Sequence, residues 1–176
     1  MDYWGFAVIV SFGSIFYSNE IMDLLYDEHI MESSAVFRLL MGGFIAVSTT
    51  YIFGTLLTAR GKLRELNIIS AIGLLINFFM NLFLIPRLMA VGSAYASLVT
   101  QVIIAFLQVM VVIRVFRFKW NYRYMLTLLF FVSGVILINI LSREVPPGIF
   151  GLTGTPHSWL LNFSLVIFFS IALAYG

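Results

Sequence analysis

The chain has 176 residues, 61% of them hydrophobic and 10% charged, with no cysteine and a formal net charge of +2. Soluble domains carry about 25% charged residues, so this composition cannot cover a water-facing surface. It excludes a soluble globular domain, a disulfide framework and a thiolate metal site.

With a mean hydropathy of +1.04 and uncharged runs near the ~20 residues that cross a bilayer, the expected class is an all-α polytopic membrane helix bundle. The pI of about 9.0 fits basic loops on the cytoplasmic face of a membrane better than a nucleic-acid partner. Six spans are predicted, near 3–19, 39–59, 66–85, 88–113, 124–141 and 158–175. No period-two alternation runs long enough for barrel strands.

The opening "MDYWGFAVIV" has an acidic leader and no convincing cleavage site behind it, so a signal peptide is not expected there. The last residues, "SIALAYG", stop inside an apolar helix, and both ends are expected to be cuts through a longer protein. After the first span comes an acidic loop with Glu20, Asp23, Asp27, Glu28 and Glu32. Within it Ile21, Met22, Leu24 and Leu25 predict a short amphipathic helix at the outer interface. A solvated loop explains these carboxylates better than a cation site.

The second span places Ser48, Tyr51, Thr55 and Thr58 at helical spacing on one face. Arg38 stands near its outer end; it could attract an anionic pyrophosphate, though snorkelling to the interface is the preferred reading. The turn that follows is basic, with Arg60, Lys62 and Arg64. A second stripe, Asn67, Ser70, Asn77 and Asn81, lies on the third span, and a third, Ser93, Ser97, Gln101 and Gln108, on the fourth. Two readings of these stripes stay open: lining of a hydrophilic seam, or hydrogen bonds that join helices, worth about 1 kcal/mol or less each. Arg38, Tyr51, Thr55, Asn77, Asn81 and Gln101 are the candidate substrate-binding residues.

Between the third and fourth spans lies "LIPRLMAVGSAYASLVTQ". Pro86 disfavours a helix running on through Ile85, which predicts a tight outer hairpin there. Gly92, Ser93, Ala96 and Ser97 supply small-xxx-small faces for close helix contact. The next loop carries Arg114, Arg117, Lys119 and Arg123, and the last only Arg143 beside Glu144. Basic residues therefore cluster in alternate loops, which places both ends of the chain on the cytoplasmic side.

No catalytic or cofactor pattern emerges. His29 and His157 are far apart, no HExxH or nucleophile elbow occurs, and "GTLLTARGKL" has the wrong glycine spacing for a phosphate loop. The chain is expected to be no enzyme and to hold no cofactor or metal. "NFS" at Asn162 falls inside a predicted span and is taken as a chance glycosylation match.

Three segments carry a family resemblance: Leu24, Leu25 and Tyr26; Leu57, Ala59, Gly61 and Lys62; and Ile85, Pro86, Gly92 and Ala94. In this order they resemble the C-terminal half of polysaccharide (O-antigen type) flippases, of the multidrug/oligosaccharidyl-lipid/polysaccharide exporter superfamily, over about 19–118. Asp27 stands where the family has Gly, and Leu88-Met89 replaces its Tyr-Gly.

The resemblance implies helices of the C-terminal lobe over 1–118 and two further helices over 119–176, within a transporter of twelve to fourteen helices. It implies movement of undecaprenyl-pyrophosphate-linked oligosaccharide across the cytoplasmic membrane by alternating access, with membrane lipid and an N-terminal lobe as partners. The alternatives are a multidrug exporter, a lipid II flippase, or a self-contained six-span assembly protein.

Overall fold

A computed structural model describes residues 2–116, 122–144, 163–164 and 166–168. Its elements are α1 (Asp2–Phe16), α2 (Ser18–Leu25), α3 (Ile30–Ala59), α4 (Leu63–Phe116) and α5 (Tyr122–Glu144). The all-α expectation holds, as apolar surroundings demand: a helix satisfies its backbone hydrogen bonds within one segment. Two helices, α3 and α4, are long and apolar enough to cross a membrane, and the bent pair Trp4–Phe16 and Ser18–Leu25 supplies a third if it counts as one span. The apolar stretch of α5 within the described residues is the shorter Leu129–Leu141. Most of the sixth expected span lies outside the described residues. The chain divides into two compact units, Met1–Ile30 with Asn121–Gly176, and Met31–Trp120.

In the first unit the helix of the expected first span ends at Phe16, three residues before the expected bound. α1 and α2 meet at 73°, with Tyr17 leaving helical geometry at φ −103° and ψ 20°. α2 is the short amphipathic helix expected in the acidic loop: Met22 is buried while Asp23, Leu24 and Leu25 are exposed. α1 packs on α5, where a β-carbon at Gly5 would lie 3.8 Å from the Phe131 ring. Tyr17 meets Phe163 edge-on, with ring centroids 5.7 Å apart.

The second unit contains α3 and α4. α3 is 30 residues long, beginning nine residues before the expected span, so Arg38 stands two turns inside the helix rather than at its outer end. At the other end Gly61 adopts φ 71°, the left-handed conformation that closes a helix. Lys62 N–H donates to the Leu57 carbonyl at 2.9 Å and Gly61 N–H to that of Thr58 at 2.9 Å. Two terminal carbonyls are thus satisfied, and the chain is turned toward α4.

α4 is nominally a helix of 54 residues, which would be about 80 Å long if straight. It is not straight. Asn77 Nδ2 reaches Thr100 Oγ1 at 3.4 Å, although 23 intervening steps of a straight helix would separate them by about 35 Å. Gly73 likewise abuts Ile104, and a β-carbon at Gly92 would sit 2.5 Å from the Leu84 carbonyl oxygen. These pairs share nearly the same sum of residue numbers, the signature of an antiparallel fold-back. The reversal is at Met89, with φ 48° and ψ −127°. α4 therefore consists of two arms, α4a (63–88) and α4b (90–116), each about 40 Å long.

The hairpin was expected, but its position was not. Pro86 lies inside the helix and the break comes three residues later. A proline lacks the amide hydrogen bond to the residue four before it and strains the turn preceding it; here the chain tolerates that and reverses at Met89.

α3 runs parallel to α4b. Leu98 packs on Gly42 and Gly43, and Gln108 on Gly54, pairs separated by a nearly constant offset in sequence. The result is an up-down-up arrangement with small residues at each crossing.

Met89 sits near the first central position of a type II′ turn, where Gly is preferred. Met89→Gly is expected to raise the thermal stability of the purified chain by roughly 1 kcal/mol or more; an unchanged or lower melting temperature would count against a strained reversal. Gly73→Leu is expected to cost about 1–3 kcal/mol by overpacking against Ile104, with Ile104→Ala in the same chain restoring part of the loss. No recovery in the double variant would contradict the pairing of the two arms.

Candidate functional site

The polar groups of the second unit fall into an interior line and an exposed face. The interior line follows from the fold-back. Asn77 and Asn81 lie one turn apart on α4a, and the antiparallel register brings Thr100 of α4b opposite Asn77. Asn81 Nδ2 donates to Asn77 Oδ1 at 2.8 Å and to the Asn77 carbonyl at 2.9 Å. Asn77 in turn donates to Thr100. The two arms are thus joined by a side-chain hydrogen bond through their shared face, which is the helix-joining reading of the stripe.

Further along the same interior, Gln108 is 3% exposed and its amide lies against Gly54, where a β-carbon would be 3.5 Å from Oε1. A β-carbon at position 54 would meet that amide in ordinary van der Waals contact, so the small residue lets α4b approach α3 closely without being strictly required. Thr50 lies one turn before Gly54 on the same face. Gln108 Oε1, Thr50 Oγ1 and Asn81 Oδ1 are buried acceptors without a hydrogen-bond partner. Unpartnered acceptors are costly in a low-dielectric interior, on the order of 1–3 kcal/mol each.

The exposed face belongs to α3. Tyr51 is 73% exposed, and Thr55 and Thr58 are exposed as well. Their hydroxyls need no outside partner: Thr55 Oγ1 donates to the Ile52 carbonyl at 2.8 Å, and Thr58 Oγ1 to that of Gly54 at 2.9 Å. Ser48 does the same with Phe44 at 2.9 Å. Back-bonding of this kind lets a hydroxyl sit in apolar surroundings, so these threonines are self-satisfied and the phenol of Tyr51 is the group displayed outward.

The six residues singled out from the sequence therefore do not converge. Asn77 and Asn81 are bonded to each other inside the hairpin, and Tyr51 and Thr55 share the outward face of α3. Arg38 is exposed two turns into α3, and Gln101 is half-buried beside Thr100. Thr100 was missed because a lone threonine in an apolar run gives no periodic signal. Thr50 was missed because it lies off the Ser48–Thr58 stripe. Asn139, fully buried on α5 with Nδ2 donating to Val135 at 2.8 Å, was missed for the same reason of isolation. Among the described residues no group of three His, Asp or Glu is placed to hold a metal.

Neither a protein-family model nor a curated protein matches the chain.

Because Gln108 buries an acceptor with no partner, Gln108→Leu is expected to raise thermal stability by about 1–3 kcal/mol. A melting temperature lowered by this substitution would show that the amide is bonded in the folded chain.

Proposed function

We infer that the chain is part of a polysaccharide flippase, moving lipid-linked oligosaccharide across the cytoplasmic membrane by alternating access. The observation that carries this reading is where the family-like segments fall. Leu24-Leu25-Tyr26 closes α2, Leu57–Lys62 forms the capped turn from α3 to α4, and Ile85–Ala94 surrounds the reversal at Met89. All three are chain junctions, where a transporter scaffold has its strongest backbone requirements, and they occur in the family's order and spacing.

The remaining parts of the reading fit this role. Six spans, with both ends of the chain cytoplasmic, form the C-terminal part of a two-lobed protein of twelve to fourteen helices. A lipid-linked sugar has a polar head that hydrocarbon will not solvate. A wet face between two lobes shelters the head while its prenyl tail stays in lipid, and rocking of the lobes exposes that face to each side in turn. The outward face of α3 with Tyr51, Thr55 and Thr58 is the part of the second unit with the right chemistry to meet sugar hydroxyls. The drive is an ion gradient, the membrane potential or mass action.

Expression of the intact parent protein in a strain lacking its polysaccharide flippase is expected to restore surface polysaccharide. Tyr51→Ala is expected to reduce that restoration without lowering membrane abundance. Good membrane expression with no restoration would overturn the reading, and resistance to toxic cations in its place would favour a multidrug exporter.

A further inference from the structure

One end of the second unit gathers cations from three separate helix ends. Arg60 follows the last residue of α3, Arg64 is in the first turn of α4a, and Arg114 is in the last turn of α4b. All three are exposed. The guanidinium of Arg60 lies over the ring of Phe116, 5.5 Å from its centroid; this contact fixes the end of α4b beside the turn between α3 and α4a. Residues fifty positions apart in sequence thereby come to share one small surface.

Lys62 is the exception within the cluster, since its Nζ is paired with Glu65 at 3.1 Å. That pair is nearly neutral in sum; Glu65 also lies in the field of Arg64, and among the described residues of this end the arginines outnumber that single carboxylate. The opposite half of the unit is less cationic: there Arg87 stands at the reversal of α4 and Arg38 two turns into α3, with Glu32 in the first turn of α3. Among the described residues positive charge is thus weighted toward the end that carries Arg60, Arg64 and Arg114.

We propose that the Arg60, Arg64 and Arg114 surface binds the headgroups of anionic phospholipids in the bilayer. Three features select this partner. The cations stand at the ends of apolar segments, at the depth where headgroups lie. Arginine presents a planar fork that matches phosphate oxygens. The Phe116 ring holds one of these forks at the edge of the apolar region, so the guanidinium is presented to the interface rather than buried. The proposal rests on membrane placement and not on the transport reading, so complementation can fail while lipid selectivity stands, and the reverse.

The test uses the full chain in bilayers containing spin-labelled phosphatidylglycerol or spin-labelled phosphatidylcholine, comparing how much of each is immobilised at the protein surface. The wild-type chain is expected to prefer phosphatidylglycerol. The triple variant Arg60→Gln/Arg64→Gln/Arg114→Gln is expected to reduce that preference by on the order of a hundredfold, that is to abolish it, since each surface cation contributes about fivefold. Arg87→Gln, at the other end, is expected to retain it, as is the charge-keeping Arg60→Lys/Arg64→Lys/Arg114→Lys variant.

If the triple glutamine variant fails to fold by circular dichroism, Arg64→Gln alone carries the test with a drop of about fivefold. A preference that survives the glutamine substitutions, or that falls equally with Arg87→Gln, would overturn the proposal. So would a preference abolished by inorganic phosphate but not by chloride at equal ionic strength, which would assign the surface to free phosphate.

Discussion

The second unit depends on a reversal at a single residue. In hydrocarbon no water is available to satisfy a freed carbonyl or amide, so a chain that must turn has to do so within very few residues or outside the apolar layer. α4 turns at Met89 alone, immediately after a proline and arginine that mark the end of its apolar run. The short reversal brings the arms so close that only small side chains are tolerated between them. Gly92 lies over the Leu84 carbonyl and Gly73 against Ile104, and the hydrogen bond from Asn77 to Thr100 follows from the same register. α3 then packs on the second arm through Gly42, Gly43 and Gly54. Each contact is a consequence of the fold-back, because without it α4b would not lie beside α4a at all.

The same geometry gives polar residues in apolar helices two different fates. Asn77, Asn81, Thr100 and Gln108 are drawn to the interior, where their hydrogen bonds, or their lack of partners, bear on packing. Ser48, Thr55 and Thr58 return their hydroxyls to their own backbone and remain compatible with either lipid or a wet cavity. A face of this second kind can be exposed alternately to different surroundings at little cost, since no hydrogen bond is lost in the exchange. Under the transport reading proposed above, that property suits a cavity wall, and it attaches to α3 rather than to the hairpin.

Composition and charge alone determined the class of the protein. High hydropathy, few charges and runs of bilayer length are properties of segments, independent of which segments touch, and they led directly to an all-α membrane chain. The hairpin near Pro86, the short amphipathic helix in the acidic loop and the turn at Gly61 were also legible, because turn residues act locally. The first span and the short helix after it were expected as separate elements, but the 73° bend between them has no marker between Phe16 and Ser18. The start of α3 was placed too late, because Glu32 was counted as a loop charge and Arg38 as the edge of the span, although a helix carries charges readily near its ends.

What only the tertiary structure decided is which residues meet. Periodicity places Asn77 and Asn81 on one face, but whether that face looks inward depends on the register of the opposite arm, set by a reversal at Met89 rather than at Pro86. Thr100, Thr50 and Asn139 carry no periodic signal and acquire meaning only from neighbours distant in the chain. Arg60 and Arg64 belong to one basic turn in the sequence, and Arg114, fifty-four positions after Arg60, joins that end only because Phe116 is brought under Arg60. Local propensity acts over a few residues, whereas these pairings span tens of residues and depend on the packing of whole helices.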